Sequence, residues 1–438
     1  MDRIGRSAAL SQRVSYLYAC ALTVALYLFL PYGGYERMME GKYACFLALT
    51  LGYLAAMCAV VPAARPRMTP LRWCAAAYFA LSAVSALLSP YGTATLLGGP
   101  RHDGAVTLAL YAAAFWLLSR WLRADVRLIG LTALSVTLCD VLTLLQLAGK
   151  NPLWLYPAGL DYYDGDAAYL GFYAGTSGNV DFTAFLLALA VCVLAAAALR
   201  LRLWALAPTL ALTLWVLFRL GVSAAWVGLA AAALWCPALL VSARRRTMLL
   251  LSAALTLLAL ALVWSYGGDD RTLTEASRLL HGEFDPSFGS ERLRIWRDCL
   301  TLVRERPLFG GGPGTFWLRG IEPFAWYLPD RVVPSEVTAA HNEYLNILVD
   351  QGVFALAAYL ALLAAALVRC FRRAAEARFA VCGAGLLCYA AMAFFSISTC
   401  ITAPYVWLLL ALCAGEGGGT DREKTVENNA ASNYNINR

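Results

Sequence analysis

The sequence predicts an all-α protein, a polytopic transmembrane helical bundle with a large extracytoplasmic loop that contains short helices. Hydrophobic residues make up 61% of the chain and charged residues only 14%, whereas soluble domains carry about 25% charged residues. The apolar residues also form long blocks, such as 249–264 and 353–368. Because a backbone in lipid must satisfy its own hydrogen bonds, such blocks predict spanning helices.

Taken in chain order, the apolar blocks predict about twelve spans, since each is long enough to cross the bilayer. The predicted spans are 14–30, 43–62, 71–89, 105–122, 126–148, 180–199, 203–219, 221–241, 247–266, 343–369, 378–398 and 402–415. The chain therefore divides into spans with short connections (1–266), the large loop (267–340), further spans (341–415) and a polar tail (416–438). The Gly- and Asn-rich tail has no apolar pattern, which predicts disorder.

The positive charges predict the orientation of the bundle. The formal net charge is +7, and its arginines cluster in alternate connections, as topology signals do, rather than in one nucleic-acid-binding patch. The clusters lie at 65–72, 120–127, 200–202, 244–246 and 369–378. This alternation predicts a multi-pass protein of the cytoplasmic (inner) membrane, with both termini in the cytoplasm and 149–179 and 267–340 outside.

The two predicted outer loops are where chemistry is expected. The first is aromatic and acidic, which fits an interfacial belt or a sugar-stacking surface. Its residues of this kind are Trp154, Tyr156, Asp161, Tyr162, Tyr163, Asp164 and Asp166. In the second loop, Ser290 is expected to cap a helix that runs to Arg306, where Pro307 ends it. A tight, flexible glycine turn at 310–314 follows, and Pro334-Ser335 precedes another expected helix start.

His341 is one of three histidines and lies at the predicted outer end of a span. A helix N-terminus disfavours imidazolium, so the ring is expected to be neutral near pH 7. A neutral imidazole can accept a proton from an attacking hydroxyl. A capping or interfacial role explains the same position.

The predicted 290–306 helix is rich in arginine, including Arg292 and Arg294, with five arginines against three acids. Arginine binds phosphate through two parallel hydrogen bonds, but a solvated helix with local ion pairs explains the pattern as well. Asn179 and Asp181 stand at the start of a span, where N-capping is the simple explanation. No zinc-ligand, nucleotide-binding or serine-nucleophile motif occurs, so no metal and no cofactor is predicted.

Three stretches together resemble the O-antigen ligase and polymerase superfamily of bacterial membrane proteins. The first is Gly175-Thr-Ser-Gly-Asn-Val-Asp-Phe, which enters a span. The second is Arg292-x-x-x-Trp296, followed by Pro307-Leu-Phe-Gly-Gly-Gly-Pro-Gly-Thr-Phe. The third is His341-Asn342, nine residues, then Gly352. Their order, spacing and predicted side of the membrane agree with the family pattern.

The resemblance implies a metal-independent glycosyltransferase of polysaccharide biosynthesis in the cell envelope. It would move an oligo- or polysaccharide from a polyprenyl diphosphate (undecaprenyl-type) carrier to an acceptor hydroxyl on the outer face of the membrane. His341 would activate the hydroxyl, and Arg292 with Arg101 or Arg219 would stabilise the diphosphate. The remaining substrate-binding candidates are Arg294, Asn342, Asn179 and Asp181.

The chain departs from the family pattern at two positions and leaves the acceptor open. Ala224 stands where the family often has an arginine, with Arg219 nearby as the candidate replacement, and Ala355 replaces a glycine. A ligase would use lipid A core of lipopolysaccharide, a wall polymer or a protein as acceptor, and a polymerase would use a second lipid-linked glycan. A transporter or flippase of lipid-linked sugars would need charges within the spans. Here they lie mostly at the span ends, with Asp140 as the exception.

Overall fold

The computed structural model describes residues 3–62, 67–156, 173–321, 324–327 and 332–415. The predicted tail and the acidic stretch (157–172) of the first predicted outer loop lie outside this part of the chain. The helices are α1 Arg3–Leu28, α2 Met38–Val60, α3 Pro70–Leu87, α4 Ala94–Leu97, α5 Ala105–Trp121, α6 Val126–Leu147, α7 Val180–Leu201, α8 Ala207–Leu220, α9 Ser223–Leu240, α10 Arg245–Trp264, α11 Arg271–Leu280, α12 Arg292–Glu305, α13 Glu343–Arg372, α14 Ala377–Met392 and α15 Ala403–Ala414.

A helix stands at every predicted span, but not every one meets the dimensions of a full membrane crossing. Within the described ranges, seven helices are long and apolar enough to cross, or eight if a bent pair counts as one span. The predicted span 14–30 falls in α1, which is not among these seven. The predicted spans 203–219, 378–398 and 402–415 correspond to shorter apolar helices. The all-helical bundle is therefore confirmed, and the count of about twelve spans stays a prediction.

Helix α7 occupies the centre of the bundle. Its most apolar stretch is 89% buried, whereas that of α10 is 6% buried. A helix that is apolar all round suits a position enclosed by other helices, and Ala188, Ala190 and Ala197 of α7 are fully buried. Small residues let neighbouring helices approach closely in a membrane bundle. Helix α10 instead presents its leucines outward, as a lipid-facing helix does.

A sharp bend between α4 and α5 brings Arg101 to the end of the bundle. The helical segments Ala94–Arg101 and Ala105–Trp121 meet at 92°. Gly98 has a φ of 75° and its Cα lies so close to the backbone of Gly104 that a Cβ would overlap it. Only glycine combines this left-handed backbone with so close an approach.

The helix predicted over 290–306 is α12, which ends at Glu305 before Pro307. The predicted cap is wrong: Ser290 and Glu291 both have a positive φ, and no side chain caps the helix. Instead, the backbone carbonyls of 288 and 286 accept from the N–H groups of Leu293 and Arg294, respectively. These bonds satisfy two N–H groups of the first helical turn, which have no partner within the helix and which a capping side chain would otherwise accept from.

The large loop also contains one antiparallel hairpin, with strands β1 Phe324–Tyr327 and β2 Val332–Ser335. The helix expected to start after Ser335 is therefore not formed there, and α13 begins at Glu343. The β-branched pair at 332–333 and the aromatic residues of β1 favour strands over helix. Pro334 is compatible with β2 because a strand of a two-stranded sheet has a free edge.

Candidate functional site

A cavity of about 250 Å³ lies at one end of the bundle and brings together residues from distant parts of the chain. It is bounded by residues at the N-terminal ends of α7 and α13, the bend before α5 and the segment that follows α14. Four predicted site residues line it, namely Arg101, Asn179, Asp181 and His341, together with Met39, Pro100, Phe182, Thr338, Phe395, Ser396 and Ile397.

His341 lines this cavity directly after Ala340, whose N–H and carbonyl groups are both hydrogen-bonded. The φ of His341 is 48°, a left-handed conformation that is uncommon for a residue other than glycine. The N–H of Ala340 donates to Asn346 Oδ1 at 3.1 Å, and the Ala340 carbonyl accepts from Trp296 Nε1 at 3.0 Å. Trp296, the last residue of the Arg-x-x-x-Trp stretch, thus helps to hold the residue before His341.

The imidazole of His341 is neutral. Burial lowers its pKa to about 3, and the positive charges of Arg101 and Arg292 act in the same direction. A neutral ring was expected from the helix N-terminus, but burial and the two arginines are the causes here. The ring is therefore unprotonated at neutral pH, and an anion that offsets the charges of Arg101 and Arg292 would raise its pKa and its strength as a general base.

Arg292 keeps part of its hydrogen-bonding capacity unused. Its Nη1 donates to the Gly289 carbonyl at 2.7 Å, while its buried Nε has no hydrogen-bond partner in the described part of the chain. Burial lowers the pKa of the guanidinium, and the carboxylates of Asp181 and Glu275 raise it. Because arginine stays protonated in proteins, a positive charge with a spare donor stands beside Asp181 and His341. An unpaired buried donor of this kind is explained by an ordered water, an ion or a catalytic role.

Arg101 lies at the bend that precedes α5 and is tied to the loop before α13. Its Nε and Nη2 donate to Thr338 Oγ1 at 3.1 and 2.9 Å. A Cβ on Gly99 would overlap the indole of Trp317, so the bend also packs tightly on the large loop. These contacts fix the arginine at the cavity wall.

The two asparagines of the predicted site both act as helix caps. Asn179 Oδ1 accepts from the N–H groups of Asp181 and Phe182 at 2.8 and 3.4 Å. Asn342 Oδ1 accepts from the N–H of Leu345 at 3.0 Å, at the start of α13. Asn179 also lines the cavity, whereas Asn342 is not part of its wall.

Arg292 and the two remaining predicted arginines are not among the residues that line the cavity. Arg294 forms an ion pair with Glu291 at 3.2 Å. Arg219 lies exposed at the C-terminal end of α8, and Ala224 is buried at the start of α9. Arg101, rather than Arg219, is therefore the arginine that shares the cavity with His341.

The second and third family-like stretches interlock at a kink in α13. Gly352 has a φ of 82° and a ψ of 178° within the helix. The N–H of Val353 donates to the Pro307 carbonyl at 2.9 Å, and the N–H of Gly312 donates to the Asp350 carbonyl at 2.6 Å. The glycine turn, expected to be flexible, is thus bonded into the kink.

Arg319 was not among the site residues predicted from the sequence. Its side chain donates a hydrogen bond to a backbone carbonyl at this kink. Val349 would normally accept from the N–H of Val353, and the kink frees its carbonyl. That carbonyl accepts from the N–H of Gly311 at 3.1 Å and from Arg319 Nη1 at 2.9 Å. Burial of an unpaired carbonyl is thereby avoided.

We expect Gly352→Ala to destabilise the protein by about 2 kcal/mol or more, because a positive φ and a backbone clash combine. A Cβ there would overlap the Leu308 carbonyl. The matched control is Gly130→Ala in the second turn of α6, where a Cβ meets nothing within 4 Å. Thermal unfolding of the detergent-purified variants measures both, and equal melting temperatures would contradict the role of Gly352.

A smaller polar cavity of about 50 Å³ lies beside the first and contains the carboxyl groups of Asp103, Glu343 and Asp350. Glu343 accepts from the N–H and hydroxyl of Ser398 at 2.8 and 2.5 Å. Asn346 joins the two regions, since its Nδ2 donates to Asp350 at 3.4 Å while its Oδ1 holds Ala340. The signal for Asn346 in the sequence was a polar amide in an otherwise apolar helix.

The apolar helices define a helical integral membrane protein, with the two cavities at one end of its bundle. The family model described as O-antigen ligase matches residues 208–360. This segment is therefore similar to the O-antigen ligase family, as the resemblance predicted. The match includes Arg292, His341 and both of the interlocking stretches. No curated protein matches the chain.

Proposed function

We propose that the protein transfers a glycan from a polyprenyl diphosphate carrier to an acceptor hydroxyl, as an O-antigen ligase does. The observation that supports this most is the cavity shared by Arg101, Asp181 and His341, with the charge of Arg292 acting on the latter two. The proposed site lies on the outer face of the cytoplasmic membrane, opposite the arginine clusters.

In the proposed reaction, the acceptor oxygen attacks the anomeric carbon of the donor sugar and its proton passes to His341. The bond between that carbon and the diphosphate oxygen breaks, and the polyprenyl diphosphate leaves with the electron pair. Attack from the side opposite the leaving group inverts the anomeric centre. A diphosphate is a good leaving group, so the reaction needs no general acid.

The proposed role of Arg101 and Arg292 is to stabilise negative charge that grows on the diphosphate. Such stabilisation is strongest in a partly dry site with donors already in place, and a guanidinium suits phosphate oxygens. Asp181 is the candidate to bind sugar hydroxyls. The cavity is smaller than the roughly 300–1,000 Å³ of sites for drug-sized ligands, so it would hold the sugar–diphosphate junction while the lipid lies between helices.

The proposed function is tested by incubating the purified protein with a polyprenyl diphosphate-linked glycan and candidate acceptors. We expect the glycan to pass to an acceptor hydroxyl at an unchanged rate in EDTA, because arginines rather than a metal balance the phosphate charge. Loss of activity on chelation would contradict the metal-independent mechanism. Absence of transfer to every acceptor, with transport of the intact donor in vesicles, would favour the transporter.

Deletion of the gene separates ligase from polymerase. Loss of a ligase leaves long lipid-linked chains without an acceptor, whereas loss of a polymerase leaves single repeats on a glycan gel. Because we propose a ligase, we expect the deletion to leave long lipid-linked chains.

A further inference from the structure

The short helix α11 of the large loop has an apolar side and a charged side. Leu273 and Leu280 are seven residues apart, so they lie on the same side of the helix, and both are exposed. Phe284, four residues further on, is 72% exposed. The charged residues of the helix share the opposite side, namely Arg271, Glu275 and Arg278. The apolar side therefore needs a partner outside the described part of the chain.

The charged side of α11 is bound to the turn that precedes α12. Glu275 Oε2 accepts from the N–H of Gly289 at 2.8 Å. The guanidinium of Arg278 lies over the ring of Phe288, 4.8 Å from its centroid. Because these contacts hold one side of the helix against the protein, the opposite side, with its leucines, is turned away from this turn.

The apolar side of α11 meets the end of α10. Ser277 follows Leu273 by four residues and precedes Leu280 by three, so it lies between them on the helix surface. Ser277 is buried, and its hydroxyl donates to the carbonyl of Trp264, the last residue of α10, at 3.1 Å. The ring of His281 also packs on Trp264. The exposed leucines thus flank the point where α11 contacts α10.

The end of α10 marks a membrane surface. This helix is long and apolar enough to cross a membrane, and its most apolar stretch is only 6% buried. Its outward-facing side chains continue to Leu262 and Trp264, both exposed. An exposed tryptophan at the end of a span is typical of the boundary between lipid and water. The apolar side of α11 therefore begins at the level where the lipid-facing surface of α10 ends.

We propose that α11 is an interfacial helix that lies on the membrane surface on the side of the large loop, with Leu273, Leu280 and Phe284 among the lipid headgroups and upper acyl chains. A helix with separate apolar and charged sides is suited to this position. Lipid is favoured over a second copy of the chain because the apolar side is continuous with the lipid-facing surface of α10.

This position bears on Arg292. Glu275 binds the N–H of Gly289, and the carbonyl of Gly289 accepts from Arg292 Nη1 at 2.7 Å. Since one residue connects the carboxylate of α11 to this guanidinium, a helix held at the membrane surface would set the distance of Arg292 from that surface. This consequence rests on the proposed function, whereas the position of α11 is tested without it.

The test measures the depth of spin labels on the full-length protein in vesicles of phosphatidylethanolamine and phosphatidylglycerol. Leu280 or Phe284 is replaced by a spin-labelled p-acetylphenylalanine, so that the thirteen cysteines stay unchanged. Collisions with oxygen, which concentrates in lipid, are compared with collisions with a water-soluble nickel complex. We expect both labels to lie about 5–10 Å into the boundary between headgroups and acyl chains.

The matched control carries the same label at Arg278, on the charged side of the same helix, and should collide mainly with the nickel complex. A label at the exposed Leu258 of α10 gives the value for a position in lipid. Equal collisions with nickel at Leu280 and Arg278 would place the apolar side in water and overturn the proposal. Few collisions with either reagent would mean that protein covers this side, which would overturn it as well. If the label at Leu280 prevents folding, the label at Phe284, outside the helix, decides.

Discussion

Replacing His341 by alanine is expected to lower the rate of glycan transfer by about 100-fold or more, while the protein stays folded and inserted. In the proposed mechanism, His341 is the group that takes the acceptor proton. Its ring is neutral because burial and the charges of Arg101 and Arg292 lower its pKa to about 3. Alanine leaves no base in its place.

The matched control is His281→Ala, which replaces a histidine of the large loop. His281 packs on Trp264 with ring centroids 4.1 Å apart and hydrogen-bonds the Ser277 carbonyl at 2.8 Å, away from the cavity. Purified His281→Ala should transfer glycan at a normal rate. Near-normal product from His341→Ala in the same assay would remove the proposed base.

The pH profile gives a second measurement of the same role. A base with a pKa of about 3 stays unprotonated from pH 8 down to about 5, so His341 should cause no loss of rate there. The sign follows from the lowered pKa: protonation, and loss of the base, begins only as the pH approaches 3. A fall in rate centred near pH 6.5, present in the wild type and due to His341, would contradict the buried, arginine-flanked imidazole.

Much of the bundle was predictable because long apolar blocks admit few solutions in a membrane. The helix α12 was also predictable, since Pro307 fixes its end. Its cap was not, because Ser290 adopts a left-handed backbone and the first turn is satisfied by carbonyls from the preceding chain. The local residue preference indicated a hydroxyl cap. The path of the loop in the tertiary structure instead places backbone carbonyls at these N–H groups.

The site was predictable to the extent that its residues belong to ordered motifs. His341 and Asp181 stand in such stretches, and Arg101 could be proposed by its expected position on the outer side. Thr338 and Asn346, which position Arg101 and the residue before His341, depend on contacts that no local pattern specifies. The choice of Arg101 over Arg219 depends in the same way on the bend before α5.

The kink at Gly352 explains why the third motif ends in glycine. In the sequence, the glycine turn at 310–314 and Gly352 are separate signals. In the structure they are two sides of one contact, because the turn supplies partners to backbone groups that the kink leaves open. The contact fixes the direction of α13, and with it the position of His341 at the helix start.

Replacing Arg292 by alanine is expected to lower the transfer rate by about 100- to 1,000-fold, the typical cost of removing one donor to charge that develops in the transition state. The spare buried Nε of Arg292 is in place before the substrate binds, so its proposed contribution comes with little reorganisation. Arg292→Lys keeps the charge but loses the planar fork, and should recover only part of the rate.

The matched control is Arg297→Ala, on the same helix but with its side chain 70% exposed. Transfer rates measured over a range of donor concentrations separate binding from catalysis for all three variants. We expect the loss in Arg292→Ala mainly in kcat, because the phosphate charge grows as the glycosidic bond breaks. A rise in KM alone would make Arg292 a ground-state contact. An equal loss in Arg297→Ala would mean that the rate depends on the overall charge of α12 rather than on the single guanidinium beside His341.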